Sequence, residues 1–212
     1  MSTEGNPSLS TLPVELIFYI FRYLDAPTIV RSIRRVCKQF YTIVPTYDQF
    51  KFNFKSILKS DFHLLCNLIE PKNVESLTLS DDDETPGQIE YFLSIFRISQ
   101  FTRLHSLTLC EIDDCYLNII LKDIKALGLN TLSIYSKRDH SQGITKVTDL
   151  SSAISLPRLF TFNLNIPNFD IEKYISSLNP VRMIFHDESV FLSVPPLTEK
   201  TGGALEKLVH QK

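Results

Sequence analysis

A short apolar pattern, L-x-x-L-x-L, recurs along most of the chain and constrains its fold more than any other feature. Clear copies occupy 74–79, 104–109, 129–134 and 159–164, and a weaker copy lies at 181–185. The central apolar residues of the copies are Leu77, Leu107, Leu132, Phe162 and Ile184, which are 30, 25, 30 and 22 residues apart. Each copy predicts a short strand with two apolar residues on one face. The recurrence therefore predicts a repeat architecture.

The segments between the predicted strands have helical spacing. The longer ones lie at 88–98 and 116–127, and shorter candidates lie at 149–154 and 170–177. The apolar residues of the longer segments are Ile89, Phe92, Leu93, Phe96, Leu117, Ile120, Leu121, Ile124 and Leu127. Strand–turn–helix units cannot bury their apolar faces alone, so they are expected to stack into a curved solenoid with a parallel sheet. The repeat spacing is typical of leucine-rich repeats or a close variant.

The segment before the repeats holds a helix that is apolar around most of its circumference. Between Pro13 and Asp25 only Glu15 and Arg22 are charged. Apolar residues recur at every fourth position, at Leu12, Leu16, Ile20 and Leu24, with Ile17 and Phe21 beside them. A helix that packs on one neighbour keeps a polar face, which this helix lacks. Its second side is therefore predicted to contact another protein.

The ends of this helix are marked by prolines. Pro13 fits the first turn, because its missing N–H costs nothing there. The sequence Asp25-Ala26-Pro27 predicts the end of the helix, because a proline disfavours helical backbone at the residue before it. Thr28 is then predicted to cap a second helix, whose helical spacing is kept by Val30, Ile33, Cys37 and Phe40.

Two helices separated by a tight break, with Leu-Pro opening the first, resemble an F-box. The matching residues are Leu12-Pro13-Val14-Glu15, Ile20-Phe21, Leu24, Val36-Cys37-Lys38 and Phe40, the last where the family often has tryptophan. The resemblance implies a helix-in-groove contact with the Skp-type adaptor that links F-box proteins to a cullin. It assigns that contact to Leu12, Pro13, Leu16, Ile17, Ile20, Leu24, Val36 and Phe40. The alternative is that these residues pack against 48–72 within the chain.

These patterns divide the chain into five parts. Residues 1–8 are a flexible N-terminus, 9–47 an F-box-like helical module, 48–72 a helical linker, 73–188 a leucine-rich-repeat-like array and 189–212 a C-terminal tail. The linker is predicted from a helical stripe formed by Phe62, Leu65, Cys66 and Ile69. The expected fold class is therefore mainly α at the N-terminal F-box helices, followed by an α/β leucine-rich-repeat-like solenoid with a short parallel sheet. The array resembles those that follow many F-boxes.

Acidic residues follow the first two predicted strands at the same offset. They are Asp81, Asp82, Asp83, Glu84, Glu111, Asp113 and Asp114. Equivalent loops of a stacked array are neighbours, so these carboxylates are predicted to form an acidic ledge that selects a basic client segment. Lys137 and Arg138 end the ledge in the third repeat. The alternatives are acidic loops that only keep the array soluble, and a calcium site, although no glycine-spaced loop of the EF-hand kind is present.

A basic stripe lies on the second predicted helix. It consists of Arg31, Arg34, Arg35 and Lys38. Such a stripe could contact phosphates, but it is more often a solvated face. The formal net charge of −2 argues against a general nucleic-acid binder. We therefore expect no nucleic-acid partner.

Signals for catalysis, metal binding and cofactor binding are missing from the sequence. His63 lies near Cys66 and Cys110 lies near Cys115, but neither pair has the second pair that structural zinc needs. No nucleophile elbow, phosphate loop or dinucleotide fingerprint occurs. We expect no metal, no cofactor and no catalysis on this chain.

The start of the chain, MSTEGNPSLS, lacks the basic and apolar regions of a secretory signal. No apolar run approaches the roughly 18 residues that a membrane helix needs. We expect no membrane partner, reduced cysteines, and a cytoplasmic and/or nuclear location.

Taken together, the chain resembles a non-catalytic substrate-receptor subunit of an SCF-type cullin–RING ubiquitin ligase. The resemblance implies that the F-box binds the Skp-type adaptor and through it a cullin, and that the repeat array holds an unknown client protein. The alternative is a scaffold that binds a partner through its repeats without any ligase. In that case the apolar residues of the opening helix are expected to be buried in the monomer.

Overall fold

Strands from most of the chain form one open sheet. A computed structural model describes residues 12–136, 156, 158, 159, 161–165, 182–186 and 189–193. Its strands are β1 Phe50–Asn53, β2 Val74–Ser80, β3 Ser106–Ile112, β4 Thr131–Ser136, β5 Thr161–Asn165, β6 Arg182–His186 and β7 Ser189–Ser193. Their order is β1-β2-β3-β4-β5-β7-β6. The first five are parallel, which confirms the predicted parallel sheet.

The central residues of the four clear copies form one row across these parallel strands, together with Phe52 of β1. The row runs through Phe52, Leu77, Leu107, Leu132 and Phe162, which are paired strand to strand. Every member is buried. Apolar and polar residues alternate along each strand, so the apolar side chains lie on the face that packs against the core.

Helices follow the first three strands and pack on the buried side of the sheet. They are α4 Lys59–Cys66, α5 Gln88–Ile95 and α6 Asp114–Asp123. The helix predicted at 88–98 is shorter, because the backbone becomes extended at Phe96. The predicted apolar residues of α5 and α6 are buried or packed against the core. The candidates at 149–154 and 170–177 lie outside the described residues.

The N-terminal region is built from three short helices. They are α1 Val14–Phe21, α2 Ala26–Arg31 and α3 Lys38–Ile43. The single second helix predicted from Thr28 to Phe40 is wrong. A 3-10 turn at Ile33–Arg35 and extended backbone at Cys37 (φ −155°, ψ 168°) divide it.

The predicted helical linker at 48–72 is helical only in its second half. Phe50–Asn53 is a strand that pairs in parallel with β2, and α4 follows it. The signal for this strand was the alternation of Phe50, Phe52 and Phe54 with polar residues, because the three phenylalanines are buried and Lys51 and Asn53 are exposed. The segment is thus the first strand–helix unit of the sheet.

The last predicted copy, at 181–185, is a strand but does not extend the parallel array. It is β6, which pairs only with β7 among the described strands, and β7 is antiparallel to both β5 and β6. Only two residues separate β6 from β7, whereas a parallel connection needs a long crossover. Ser189–Ser193 therefore belongs to the sheet, although the sequence placed it in the tail.

One hydrophobic core joins the N-terminal helices to the sheet. It extends from Ile17 and Phe21 in α1 to Leu164 in β5. Tyr47 lies at the junction, with its ring centroid 5.4 Å from that of Phe21 and 5.0 Å from that of Phe50. The helices and the strands therefore bury their apolar side chains in the same core.

In the part of the chain that the structure describes, no helix is long and apolar enough to cross a membrane.

Candidate protein-binding surface on the N-terminal helices

α1 begins where the sequence predicts and buries one narrow side. The carbonyl of Pro13 accepts from the backbone N–H groups of Leu16 and Ile17, at 3.1 and 3.2 Å. Glu15 lies in the first turn, where a negative charge complements the positive helix end. Ile17 and Phe21 are the buried residues of the helix. Their spacing of four places them on the same face.

A second side of α1, next to the buried one, is apolar and exposed to solvent. Leu16 is 50% exposed, Ile20 is 40% exposed and Leu24, just after the helix, is 36% exposed. Pro13 is also exposed, and Val36, in the turn before α3, is 68% exposed. Five of the eight predicted adaptor-binding residues thus lie on the surface of the described chain. Exposed apolar clusters of this kind are typical of protein-binding sites.

The other three predicted adaptor-binding residues are not free surface. Ile17 is 2% exposed and Phe40 is 6% exposed, because both belong to the shared core. Leu12 is half-buried and packs against the same core. Sequence spacing could not separate these residues from their exposed neighbours, because nearly every position of the helix is apolar.

Two tyrosines extend the exposed side and were not among the predicted residues. Tyr19 and Tyr23 are both exposed, and their hydroxyl groups are 2.8 Å apart in a hydrogen bond. Their rings meet edge to face with centroids 5.3 Å apart. Tyrosine is enriched at protein interfaces because it offers a large apolar body with a polar tip. Spacing of four on the same helix was the signal that could have identified the pair.

Asp25 ends the break between α1 and α2 and caps α2. Its carboxylate accepts from the backbone N–H and the hydroxyl of Thr28, at 2.8 and 2.7 Å. Burial acts to raise the pKa of Asp25, but these hydrogen bonds outweigh it and hold the pKa below its ordinary value. The predicted cap at Thr28 is therefore wrong by three residues. Ala26 and Pro27 occupy the first turn, where proline is tolerated.

The basic stripe does not form one surface. Arg31 pairs with Asp61 of α4 at 3.0 Å, and the guanidinium of Arg34 lies 4.9 Å from the ring centre of Tyr41. Arg35 and Lys38 are exposed and lie in different elements. The break in the predicted helix thus separates the charges. This arrangement favours the interpretation that they are solvated or internally paired.

In the first part of the acidic ledge, Asp81 and Asp82 stabilise the loop after β2 through hydrogen bonds. Asp81 accepts from the backbone N–H groups of Gln88 and Ile89 at the start of α5, at 2.8 and 3.4 Å. Asp82 accepts from the hydroxyl of Ser80 and from the N–H and hydroxyl of Thr85, at 3.0, 3.0 and 2.8 Å. In this group Asp83 and Glu84 are exposed, whereas Asp81 and Asp82 are half-buried.

The second part of the ledge lies beside the first, as equivalent offsets predict. The backbone N–H of Asp81 donates to the carbonyl of Cys110 at 3.0 Å. Glu111 adopts a positive φ of 53°, at an irregularity in the pairing of β3 with β4. Burial, and then the charge of Asp113, raise the pKa of Asp114. Lys137 and Arg138 lie outside the described residues.

The face of the sheet opposite the core carries small polar residues. One row runs through Asn53, Thr78, Thr108, Ser133 and Asn163. The side-chain amide of Asn163 donates to the hydroxyl of Ser133 at 2.9 Å. A second row runs through Lys51, Ser76, Ser106, Thr131 and Thr161. Such a surface offers hydrogen-bond groups rather than apolar area.

The cysteine and histidine pairs have ordinary structural surroundings. Burial raises the pKa of Cys66 to about 12, so it is a thiol at neutral pH. His63 stacks on Tyr91 with ring centroids 4.0 Å apart. Burial also raises the pKa of Cys110. Across the described residues, no three metal-ligating side chains come together.

Comparison with known families agrees with this geometry. Residues 9–48 match the model of the F-box-like family, which covers α1, α2 and α3. F-box domains generally bind Skp-type adaptors. No curated protein matches the chain at a significant level. The segment with the exposed apolar side, residues 9–48, is therefore an F-box-like domain.

Proposed function

We propose that this protein is a substrate receptor of an SCF-type ubiquitin ligase. In this proposal the F-box-like helices bind a Skp-type adaptor and through it a cullin, and the sheet region holds a client protein. The chain performs no chemistry itself. It raises the effective concentration of client lysines at a ubiquitin-charged enzyme elsewhere in the complex. It works in the cytoplasm and/or the nucleus.

One observation carries the adaptor site: the exposed apolar side of α1 lies within the segment that matches the F-box-like family. Leu16, Ile20 and Leu24 share this side, and Val36 adds to it. Burial of apolar area in the groove of a partner stabilises such a complex. We leave Ile17 and Phe40 out of the contact, because their side chains already lie in the core.

The client site is proposed on the stacked strand–helix units, as a leucine-rich-repeat-like array. Its support is the buried row from Phe52 to Phe162, whose members are 25, 30, 25 and 30 residues apart in sequence. Asp83 and Glu84 remain the exposed acidic residues of the first loop. Together with the exposed Asp113 of the second loop, they are the part of the acidic ledge that a basic client segment can reach.

The alternative scaffold function expects the apolar residues of the opening helix to be buried within the monomer. In the described chain Leu16, Ile20 and Leu24 are exposed. No observation therefore favours the scaffold over the receptor.

Co-purification with a Skp-type adaptor tests the proposal. Leu16→Asp combined with Ile20→Asp should abolish the complex, because two charges would enter an apolar interface. Ile119→Asp is the matched control, since Ile119 is similarly exposed but lies on α6. Both variants should keep the circular dichroism spectrum of the parent chain.

A stable complex with the parent chain and the control, lost only in the double variant, supports the receptor. If the parent chain forms no complex and remains a well-behaved monomer, the result rejects the receptor function and supports the scaffold function.

A further inference from the structure

A cavity of about 340 Å³ lies where the F-box-like helices meet the start of the sheet. Its apolar lining consists of the buried Phe21, Ala26, Ile29 and Phe50 and of the exposed Leu24, which also belongs to the exposed apolar side of α1. Tyr47 also lines it. Its volume is at the lower end of the range of roughly 300 to 1,000 Å³ that is typical of ligand sites. The cavity therefore has room for a group as small as one amino-acid residue.

Charged side chains surround the apolar part of this cavity. Arg22, Lys51 and Glu75 line it, and the first two are exposed to solvent. The Nε of Arg22 donates to the Oε1 of Gln49 at 3.0 Å, which holds the guanidinium in place and leaves its terminal N–H groups for another partner. None of the three charged residues forms an ion pair with another described residue. The mouth thus carries two positive charges and one negative charge.

The charges of Arg22 and Glu75 both act on the buried Tyr47. Burial raises the pKa of Tyr47, while the positive charge of Arg22 acts to lower it and the negative charge of Glu75 acts to raise it. Both charges therefore act on the same phenol, within the cavity. Arg22, Tyr47 and Glu75 all line the cavity, so a ligand bound there lies beside a cation and a carboxylate.

We propose that this cavity binds the C-terminal residue of a client protein, with an apolar side chain at the very end of the client. The α-carboxylate pairs with Arg22 and Lys51, and the apolar side chain enters between Phe21, Ile29 and Phe50. The amide N–H of the terminal residue donates to Glu75. The proposal rests on the receptor function, because it takes the ligand to be a client protein.

A chain end fits this arrangement better than an internal segment. In a C-terminal residue the carboxylate and the apolar side chain share one carbon, so a single residue supplies both groups. In an internal segment they come from different residues. Because Arg22 and Lys51 are exposed, the client chain can leave the cavity directly into solvent. Capture of a terminal carboxylate is an established mode of peptide recognition.

The test is retention of short peptides on the immobilised full chain. The probe is a pool of peptides randomised at every position except a terminal leucine with a free carboxylate. The matched pool is identical but ends in a carboxamide, which removes the charge. We expect the acid pool to be retained at least about tenfold more strongly, because charge-assisted hydrogen bonds are the strong ones. Equal retention of both pools, or of neither, overturns the proposal.

Variants assign the carboxylate contact to this cavity. Lys51→Gln should weaken retention of the acid pool by about tenfold. Lys55→Gln is the control, because Lys55 is exposed just beyond β1 and does not line the cavity. An equal loss in both variants means general charge attraction and overturns the proposal, as does an unchanged Lys51→Gln. Displacement of the acid pool by free leucine at similar concentration also overturns it, because the ligand is then a small molecule.

Peptide retention and adaptor binding are read separately. A chain that binds the adaptor but does not retain the acid pool keeps the receptor function and loses this inference. A chain that retains the acid pool but binds no adaptor has a peptide site and no ligase role.

Discussion

Neighbouring carboxylates in the loop after β2 have different roles, which only their hydrogen bonds distinguish. Asp82 holds Ser80 and Thr85, both of them buried, whereas Asp83 is exposed. Burial acts to raise the pKa of Asp82, but the hydrogen bonds from Thr85 and Ser80 lower it below the ordinary value of 3.8. The ionised form of Asp82 thus stabilises the fold. A test of client binding by charge reversal therefore belongs on Asp83 and Glu84.

Asp82→Ala should lower the free energy of unfolding by about 1–3 kcal/mol, because it leaves buried donors without an acceptor. Asp83→Ala should change it by less than about 0.5 kcal/mol. Because the folded pKa of Asp82 is depressed, its stabilisation is present above the unfolded pKa and is lost as the pH falls through the folded pKa. Urea unfolding of both variants at neutral and acidic pH measures this. Equal stability of the two variants at neutral pH would show that the loop does not depend on Asp82.

At the scale of one element, α1 divides its apolar residues between the core and the solvent. Ile17 packs in the shared core, whereas the adjacent Leu16 is exposed to solvent. A helix of this composition gives both faces the same chemistry, so hydrophobic pattern alone does not identify the free face. The position of Tyr47 and Phe40 against Phe21 decides which face is buried.

Ile17→Ala should destabilise the chain by about 2–5 kcal/mol, because it leaves a cavity in the core. Leu16→Ala should change stability by less than about 0.5 kcal/mol but weaken the adaptor complex. Thermal unfolding and adaptor co-purification, run on both variants, compare the two effects. The opposite pattern, with Leu16→Ala as the destabilising change, would invert the assignment of the faces.

Across the whole molecule, the F-box-like helices and the sheet are one packing unit. Aromatic rings continue from Phe21 through Tyr47, Phe50 and Phe52 to Phe54, with successive centroids 5.0 to 5.7 Å apart. Interiors packed at this density transmit strain and unfold cooperatively. Under the proposed receptor function, a client on the sheet would therefore be held at a defined position relative to a partner of α1.

Phe52→Ala should destabilise the helices and the sheet together by about 3–5 kcal/mol, because Phe52 is buried and its ring contacts those of Phe50 and Phe54 in the shared core. Hydrogen exchange followed by mass spectrometry should show equal loss of protection in α1 and in β3. Tyr23→Ala, an exposed aromatic change, serves as the control. Loss of protection in the sheet while α1 stays protected would mean two independent units.

The sequence by itself determined the parallel strands and the helices between them, because a period of two and a period of 3.6 report directly which side of an element is buried. The row of Leu77, Leu107, Leu132 and Phe162 was readable for this reason. It also determined the F-box-like segment, through local signals at Pro13 and in the break that follows α1.

Other features were decided only by the tertiary structure, because contacts between residues far apart in sequence leave no periodic pattern in the local sequence. Antiparallel pairing with β5 brought Ser189–Ser193 into the sheet. Packing against Tyr47 decided which side of α1 stays exposed. The cavity between Arg22, Lys51 and Glu75 exists only because residues far apart in sequence meet at the junction of helices and sheet.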